Sequence, residues 1–160
     1  MIHHLSISAE NPQHVAQVLA EILDGQPTPH PFSPGGYTVF LFDEHGTEVE
    51  VYPLETEITP GDSDEKRAYI KNPAASRFTA THIIMSVPTS VEKIEEIAAR
   101  EGWLMERASF GFDYLLLWVE NRLLLELLTP EMTVQYKAVT HPENLRKIFV
   151  FPDSQSVLKS

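Results

Sequence analysis

At 160 residues the chain is long enough to bury one sizeable core, and its apolar and charged fractions, 42% and 22%, are those of an ordinary globular protein, which disfavours disorder or a fibrous repeat. The absence of cysteine removes disulfides, thiolate ligands and cysteine nucleophiles, so any bound metal must use nitrogen and oxygen donors. A net charge of −11 leaves too few cations to grip a phosphate backbone, which argues against nucleic acid as a partner. The charge reads mainly as solubility, though it would also suit a cationic small ligand if concentrated at a pocket.

The chain opens on Met1-Ile-His-His-Leu-Ser-Ile-Ser8, which lacks a basic, apolar targeting segment, and no later window has the length of a membrane span. A soluble cytoplasmic protein is the expectation. The run from His4 reads as a strand, and Asn11 followed by Pro12 marks a helix start, with Asn11 as cap. Val15, Val18, Leu19, Ile22 and Leu23 then form one apolar helix face, which Gly25 ends. Between Gly25 and Gly36 four prolines, at 27, 29, 31 and 34, point to an irregular or edge connection. A hairpin turn at Glu44-His-Gly46 leads into the strand Thr47-Glu-Val-Glu-Val-Tyr-Pro53.

Residues 54 to 80, rich in Pro, Gly, Asp, Glu and Lys, read as a surface linker with a short ordered piece at Ala68-Tyr-Ile70. The punctuation then repeats. His82 starts a strand, Thr89 and Glu92 have capping-box spacing, Val91, Ile94, Ile97 and Ala98 supply the stripe, and Gly102 stops the helix. A turn at Glu120-Asn-Arg122 leads into Leu123-Leu-Leu-Glu-Leu-Leu-Thr-Pro130. His4 to Asn11 to Gly25 to Glu50 spans steps of 7, 14 and 25 residues, against 7, 13 and 24 for His82, Thr89, Gly102 and Glu126. The halves keep register within two residues. A helix at Met132 to Val139 is expected in the tail that follows.

Side chains alternate along a strand, so His4 and Ser6 share one face while Leu5 and Ile7 turn toward the helix. Val49 and Val51 do the same in the closing strand, leaving Glu50 opposite with Glu48 and Tyr52. Leu125 and Leu127 similarly leave Glu126 opposite. Each half thus offers one His and one Glu from strands.

In this strand–helix–strand–strand–strand order, twice over residues 1 to 130, the chain resembles the vicinal-oxygen-chelate superfamily of glyoxalases, bleomycin resistance proteins and extradiol dioxygenases. The resemblance implies an α+β domain over 1–160: module one at 1–53, a linker at 54–80, module two at 81–130 and an extension at 131–160. The modules would curl a mixed sheet into a cup with helices outside, and cups of this kind are often completed in a homodimer. It also implies metal ligands at His4, Glu50, His82 and Glu126, as in a glyoxalase. Two imidazoles and two carboxylates suit Ni, Zn, Co, Mn or Fe. The implied activity is that of a metal-dependent lyase or isomerase on a small substrate with adjacent oxygens, with Glu126 or Glu50 as the base and Tyr52 in the cup wall.

The four positions rest on unequal grounds. Glu126 sits in an apolar run where an unpartnered carboxylate is costly, which favours a metal or a cation beside it. Glu50 has Glu48 on its face, and an exposed acidic strand would look identical. His4 and His82 draw their weight from shared register. His14, His30, His45 and His141 read as surface residues. The alternatives from other classes are a metal-free, ligand-sequestering protein of the bleomycin-resistance type, for which the negative charge would suit a cationic drug, and a thiol-transfer resistance enzyme using His4, His82 and Glu126. Arginines are few and scattered, with no cluster to grip the carboxylates of glutathione.

Overall fold

The computed structural model describes residues 2–60 and 67–148. The elements run β1 (His4–Ala9), α1 (Pro12–Leu23), β2 (Gln26–Pro29), β3 (Tyr37–Phe40), β4 (Glu48–Pro53), β5 (Thr56–Pro60), β6 (Arg67–Lys71), β7 (Ile83–Ser86), α2 (Val91–Glu101), β8 (Met105–Ser109), β9 (Asp113–Val119), β10 (Leu123–Leu128), α3 (Pro130–Val139) and α4 (Pro142–Ile148). Two four-stranded sheets have the same order, β1-β4-β3-β2 and β7-β10-β9-β8, each with one parallel pair at the edge and antiparallel pairs beyond. The expected α+β architecture of two repeated modules with outer helices is what the chain adopts.

Local signals explain most boundaries. The Asn11 side chain accepts the backbone N–H of His14, and Pro12 occupies the first turn, where no amide is missed. The stop of α1 differs from expectation: Asp24 takes the left-handed conformation at φ 54°, and Gly25 follows it. Gly25 is needed for space, because a Cβ there would lie 2.8 Å from the Phe40 carbonyl oxygen. In α2 the cap is Ser90, which accepts the N–H of Lys93. Thr89, expected in that role, instead donates its hydroxyl to the Ile22 carbonyl oxygen at 2.6 Å, tying the second helix to the end of the first. Gly102 caps α2 in the left-handed region, as its position predicts.

The proline-rich stretch forms the outer strand β2, where Pro27 and Pro29 omit no ladder bond that the sheet needs. Within 54–80, β5 and β6 pair as antiparallel strands, and β6 contains the ordered piece expected at Ala68-Tyr-Ile70. The predicted tail helix is α3, with α4 after it; residues 149–160 of the extension lie outside the described ones.

A single apolar cluster runs through both modules, from Ile7, Val15, Leu19, Ile22, Val49 and Val51 to Ile94, Ile97, Leu115, Leu125 and Leu127. Charges close its rim: Glu21 of α1 pairs with Lys93 and Arg100 of α2, and His14 with Glu101. The firmest joint lies at the turn 120–122. Both Glu120 oxygens accept backbone N–H groups of module one, from Glu10 and Asn11 at 2.6 and 2.8 Å. Arg122, 4% exposed, donates to the carbonyl oxygens of Ser8 and Arg77. Burial pushes its guanidinium down, while the Glu120 and Glu10 charges oppose that effect. One hub therefore sets module two against the end of β1.

Candidate functional site

The face of the first sheet turned away from α1 is polar. The pairing of β1 with β4 sets His4 opposite Glu48, Ser6 opposite Glu50 and Ser8 opposite Tyr52, while β3 adds Thr38 beside Glu50. Glu50 is the centre of a hydrogen-bonded cluster. Its Oε2 accepts the Ser6 hydroxyl at 2.6 Å and the Tyr52 hydroxyl at 3.0 Å, and its Oε1 lies 3.3 Å from His30 Nε2. Tyr52 Oη is also 3.3 Å from that nitrogen.

His30 was expected on the surface, and the structure corrects this: its side chain is 7% exposed, packed at 5.3 Å between ring centroids against Tyr52. Its tautomer follows from its neighbours. The Phe32 backbone N–H donates to Nδ1 at 3.1 Å, so Nδ1 supplies the lone pair and the ring proton sits on Nε2, facing Glu50 and Tyr52. No periodicity could have signalled this residue, because it lies in a proline-punctuated loop whose return toward the sheet is set by the bond from the His30 N–H to the Gly36 carbonyl oxygen.

Burial alone would push the Glu50 carboxyl up, yet the hydrogen bonds from Ser6, Tyr52 and His30 and the nearby His4 outweigh it, leaving Glu50 below the ordinary carboxylate range. The Tyr52 phenol is pushed far up by burial, by its bond with Tyr69 and by the Glu50 charge. Tyr52 therefore keeps its proton and donates it. Tyr69, from the hairpin β5–β6, stacks on Tyr52 at 5.6 Å.

The corresponding face of the second sheet is apolar. Ile84 and Leu116 flank Glu126 on the neighbouring strands, and Leu124 and Leu128 precede and follow it on its own face. Glu126 is only half-buried and has no hydrogen-bond or ion-pair partner among the described residues. Water reaches it, which relieves the penalty that its sequence neighbours suggested. The registers of the two modules coincide: Ser6 pairs with Glu50 as Ile84 pairs with Glu126, and His4 and His82 each stand two residues before those partners. His82 lies just ahead of β7, exposed.

The histidines offer nitrogen donors. His82 Nδ1 lies 3.2 Å from the Ala80 carbonyl oxygen, which can only accept, so the proton sits on Nδ1 and Nε2 keeps its lone pair. His4 Nδ1 is 3.9 Å from Glu48, the same sense of arrangement at looser range. His3 is a different case, its Nδ1 held by the His45 carbonyl oxygen at 2.8 Å, which removes the ambiguity between the adjacent histidines. Among the described residues no group of three or more His, Cys, Asp or Glu side chains is placed to hold a metal ion. His4, Glu50, His82 and Glu126 thus do not meet in one chain: two stand on each module. Their N/O chemistry fits a divalent metal, and their positions in a single chain leave the set divided.

No family model matches the chain, and no curated protein does. Solved structures do. The fosfomycin resistance protein FosX from Listeria monocytogenes, complexed with Mn(II) and sulfate, is similar at a TM-score of 0.53 and 14% identity, covering 93% of this chain and 97% of that one. FosX from Mesorhizobium loti is similar at 0.52 and 12%, covering 85% and 96%. A glyoxylase/bleomycin resistance protein/dioxygenase domain from Frankia sp. EAN1pec gives 0.49 and 14%, covering 79% and 94%. No helix among the described residues is long and apolar enough to cross a membrane. With its paired βαβββ modules and its likeness to the two FosX structures, the chain has the fold of the vicinal-oxygen-chelate superfamily.

Proposed function

We propose that the protein is a glyoxalase-like, metal-dependent lyase or isomerase acting on a small substrate with adjacent oxygens, with Glu50 as its base. One observation carries the assignment of roles. Both Glu50 oxygens are already taken by Ser6, Tyr52 and His30, whereas His4, His82 and Glu126 keep donor atoms without such partners. His4, His82 and Glu126 would hold a divalent ion of the Ni, Zn, Co, Mn or Fe kind, and Glu50, first expected as a fourth ligand, serves as the proton acceptor. A FosX structure with Mn(II) supports a divalent metal on this fold.

When bound, the metal supplies Lewis-acid polarisation of the substrate oxygens. The chain's own residues do the rest. Glu50, ionised at neutral pH, accepts a proton from the carbon next to a carbonyl. Ser6, Tyr52 and His30 hold the carboxylate in one orientation, and the Tyr52 and His30 rings wall the site from solvent on that side. With donors divided between modules, the site would be completed in a homodimer in which module one of one copy faces module two of the other.

Isothermal titration of untagged protein with Mn²⁺ tests the reading. We expect uptake that His82→Ala and Glu126→Ala abolish and Glu50→Gln retains, with Glu50→Gln losing proton exchange from substrate. No uptake by the parent protein would overturn it. Mixing His4→Ala with Glu126→Ala chains should restore binding in part if sites form between copies, and sedimentation velocity should show a dimer.

A further inference from the structure

Behind the Tyr52–Tyr69 stack lies a cavity of about 590 Å³, within the range that small-molecule sites occupy. It opens between the segment at Ser33, the end of β4 and the hairpin β5–β6, and none of Glu50, Tyr52 or His30 lines it. Pro34, Pro53, Leu54, Ile70 and the Tyr69 ring give it an apolar lining. Two features distinguish it from a surface crease. Ser33 is 6% exposed, yet its hydroxyl has no hydrogen-bond partner among the described residues. Water reaches that oxygen, so the hydroxyl is available to a polar group entering the cavity. The charged groups lining the space are two carboxylates, Glu10 and Glu55, and the ammonium of Lys71; Glu10 pairs with Arg77 and Glu55 with Lys71.

We propose that this cavity is a binding site for a small primary amine carried on an apolar ring or short hydrocarbon. Lys71 pairs with Glu55 at 2.9 Å, but it is 77% exposed, and an ion pair that open to water holds weakly. A ligand ammonium can take its place on Glu55 while Lys71 swings into solvent. Ser33 then accepts one ammonium N–H, and the Tyr69 ring offers a π face to the cation. An anion would meet Glu10 and Glu55 together, and the chain's net charge of −11 disfavours it further. The site lies in module one and uses none of His4, Glu50, His82 or Glu126, so it stands independently of the metal-dependent reading.

The test is calorimetric titration of the full chain at low salt with 2-phenylethylamine, beside 2-phenylethanol and 3-phenylpropionate. The amine should bind about tenfold more tightly than the alcohol, and the acid should not bind measurably. Glu55→Gln should weaken the amine about fivefold to tenfold and Ser33→Ala about threefold, since each removes one bond to the ammonium. Ile70→Trp, which fills the cavity from a partly exposed position, should abolish binding with an unchanged circular dichroism spectrum. Glu126→Gln should leave it unchanged. Equal affinity for amine and acid, no binding at millimolar amine, or indifference to Glu55→Gln would each overturn the proposal. Should Ile70→Trp fail to fold, Glu55→Gln decides.

Discussion

The two sheets have the same strand order and the same register, yet the faces they turn away from their helices have opposite chemistry. On module one, Glu50 lies among Ser6, Tyr52 and His30 and accepts from all three. On module two, the residue in the matching position, Glu126, lies between Ile84 and Leu116 with no protein partner among the described residues. A repeat therefore conserves backbone geometry while leaving each copy free to supply a different environment to the same carboxylate. The first is held in place by protein donors, and the second is open to water.

The joint between the modules offers the largest test of this contrast. Module two reaches across through Arg122, so Arg122→Ala should strand the Ser8 and Arg77 carbonyl groups and cost about 2–4 kcal/mol in urea denaturation. A loss below 0.5 kcal/mol, the ordinary range for a surface change, would show that the modules are held by their apolar contacts alone. Next comes replacement of each carboxylate by leucine. Glu50→Leu removes the acceptor of three donors and should cost about 2 kcal/mol, whereas Glu126→Leu should be neutral or stabilising by about 1 kcal/mol, because it extends an apolar face. Equal effects would mean that the faces do not differ as described.

The third test separates the histidines. His30→Ala, at a buried ring, should destabilise by about 1–2 kcal/mol, and His82→Ala, exposed, by less than about 0.5 kcal/mol, both read from thermal midpoints. The smallest effect is in pH. Because the folded carboxyl of Glu50 lies below its ordinary value of 4.5, the unfolded chain takes up this proton first as pH falls. The stabilisation is complete above pH 4.5 and is lost as pH drops through the lower folded value. Glu21 and Glu101 act in the same sense, so the Glu50 share is the difference between wild type and Glu50→Gln across that window. Identical slopes for the two proteins would remove Glu50 from the acid transition.

Much of the fold was legible in advance. Apolar spacing, the Asn11–Pro12 start and the doubled punctuation identify both helices, the closing strands and the repeat, because each depends on neighbours a few positions away. The face on which His4, Glu50 and Glu126 stand was legible as well, since strand alternation is a local property, whereas His82 lies just ahead of its strand. The piece at Ala68-Tyr-Ile70 was legible as ordered, but its pairing with β5 and the stacking of Tyr69 on Tyr52 were not, because both join segments separated along the chain.

The ranking of the site residues changed for the same reason. Glu126 had looked strongest from the leucines beside it, and Glu50 weakest from Glu48 on its face. Local sequence, however, reports which residue types are adjacent, not which donors arrive from distant segments. Glu50 gains Ser6 from 44 positions away and His30 from 20, and neither approach leaves a periodic trace. The sequence alone determined the architecture, the register and the turning of His4, Glu50 and Glu126 away from the helices, because backbone periodicity is encoded along the chain. Only the tertiary structure decided which carboxylate is partnered, which tautomer His30 holds, and that the four candidate ligands stand two on each module, because those depend on segments brought together from far apart.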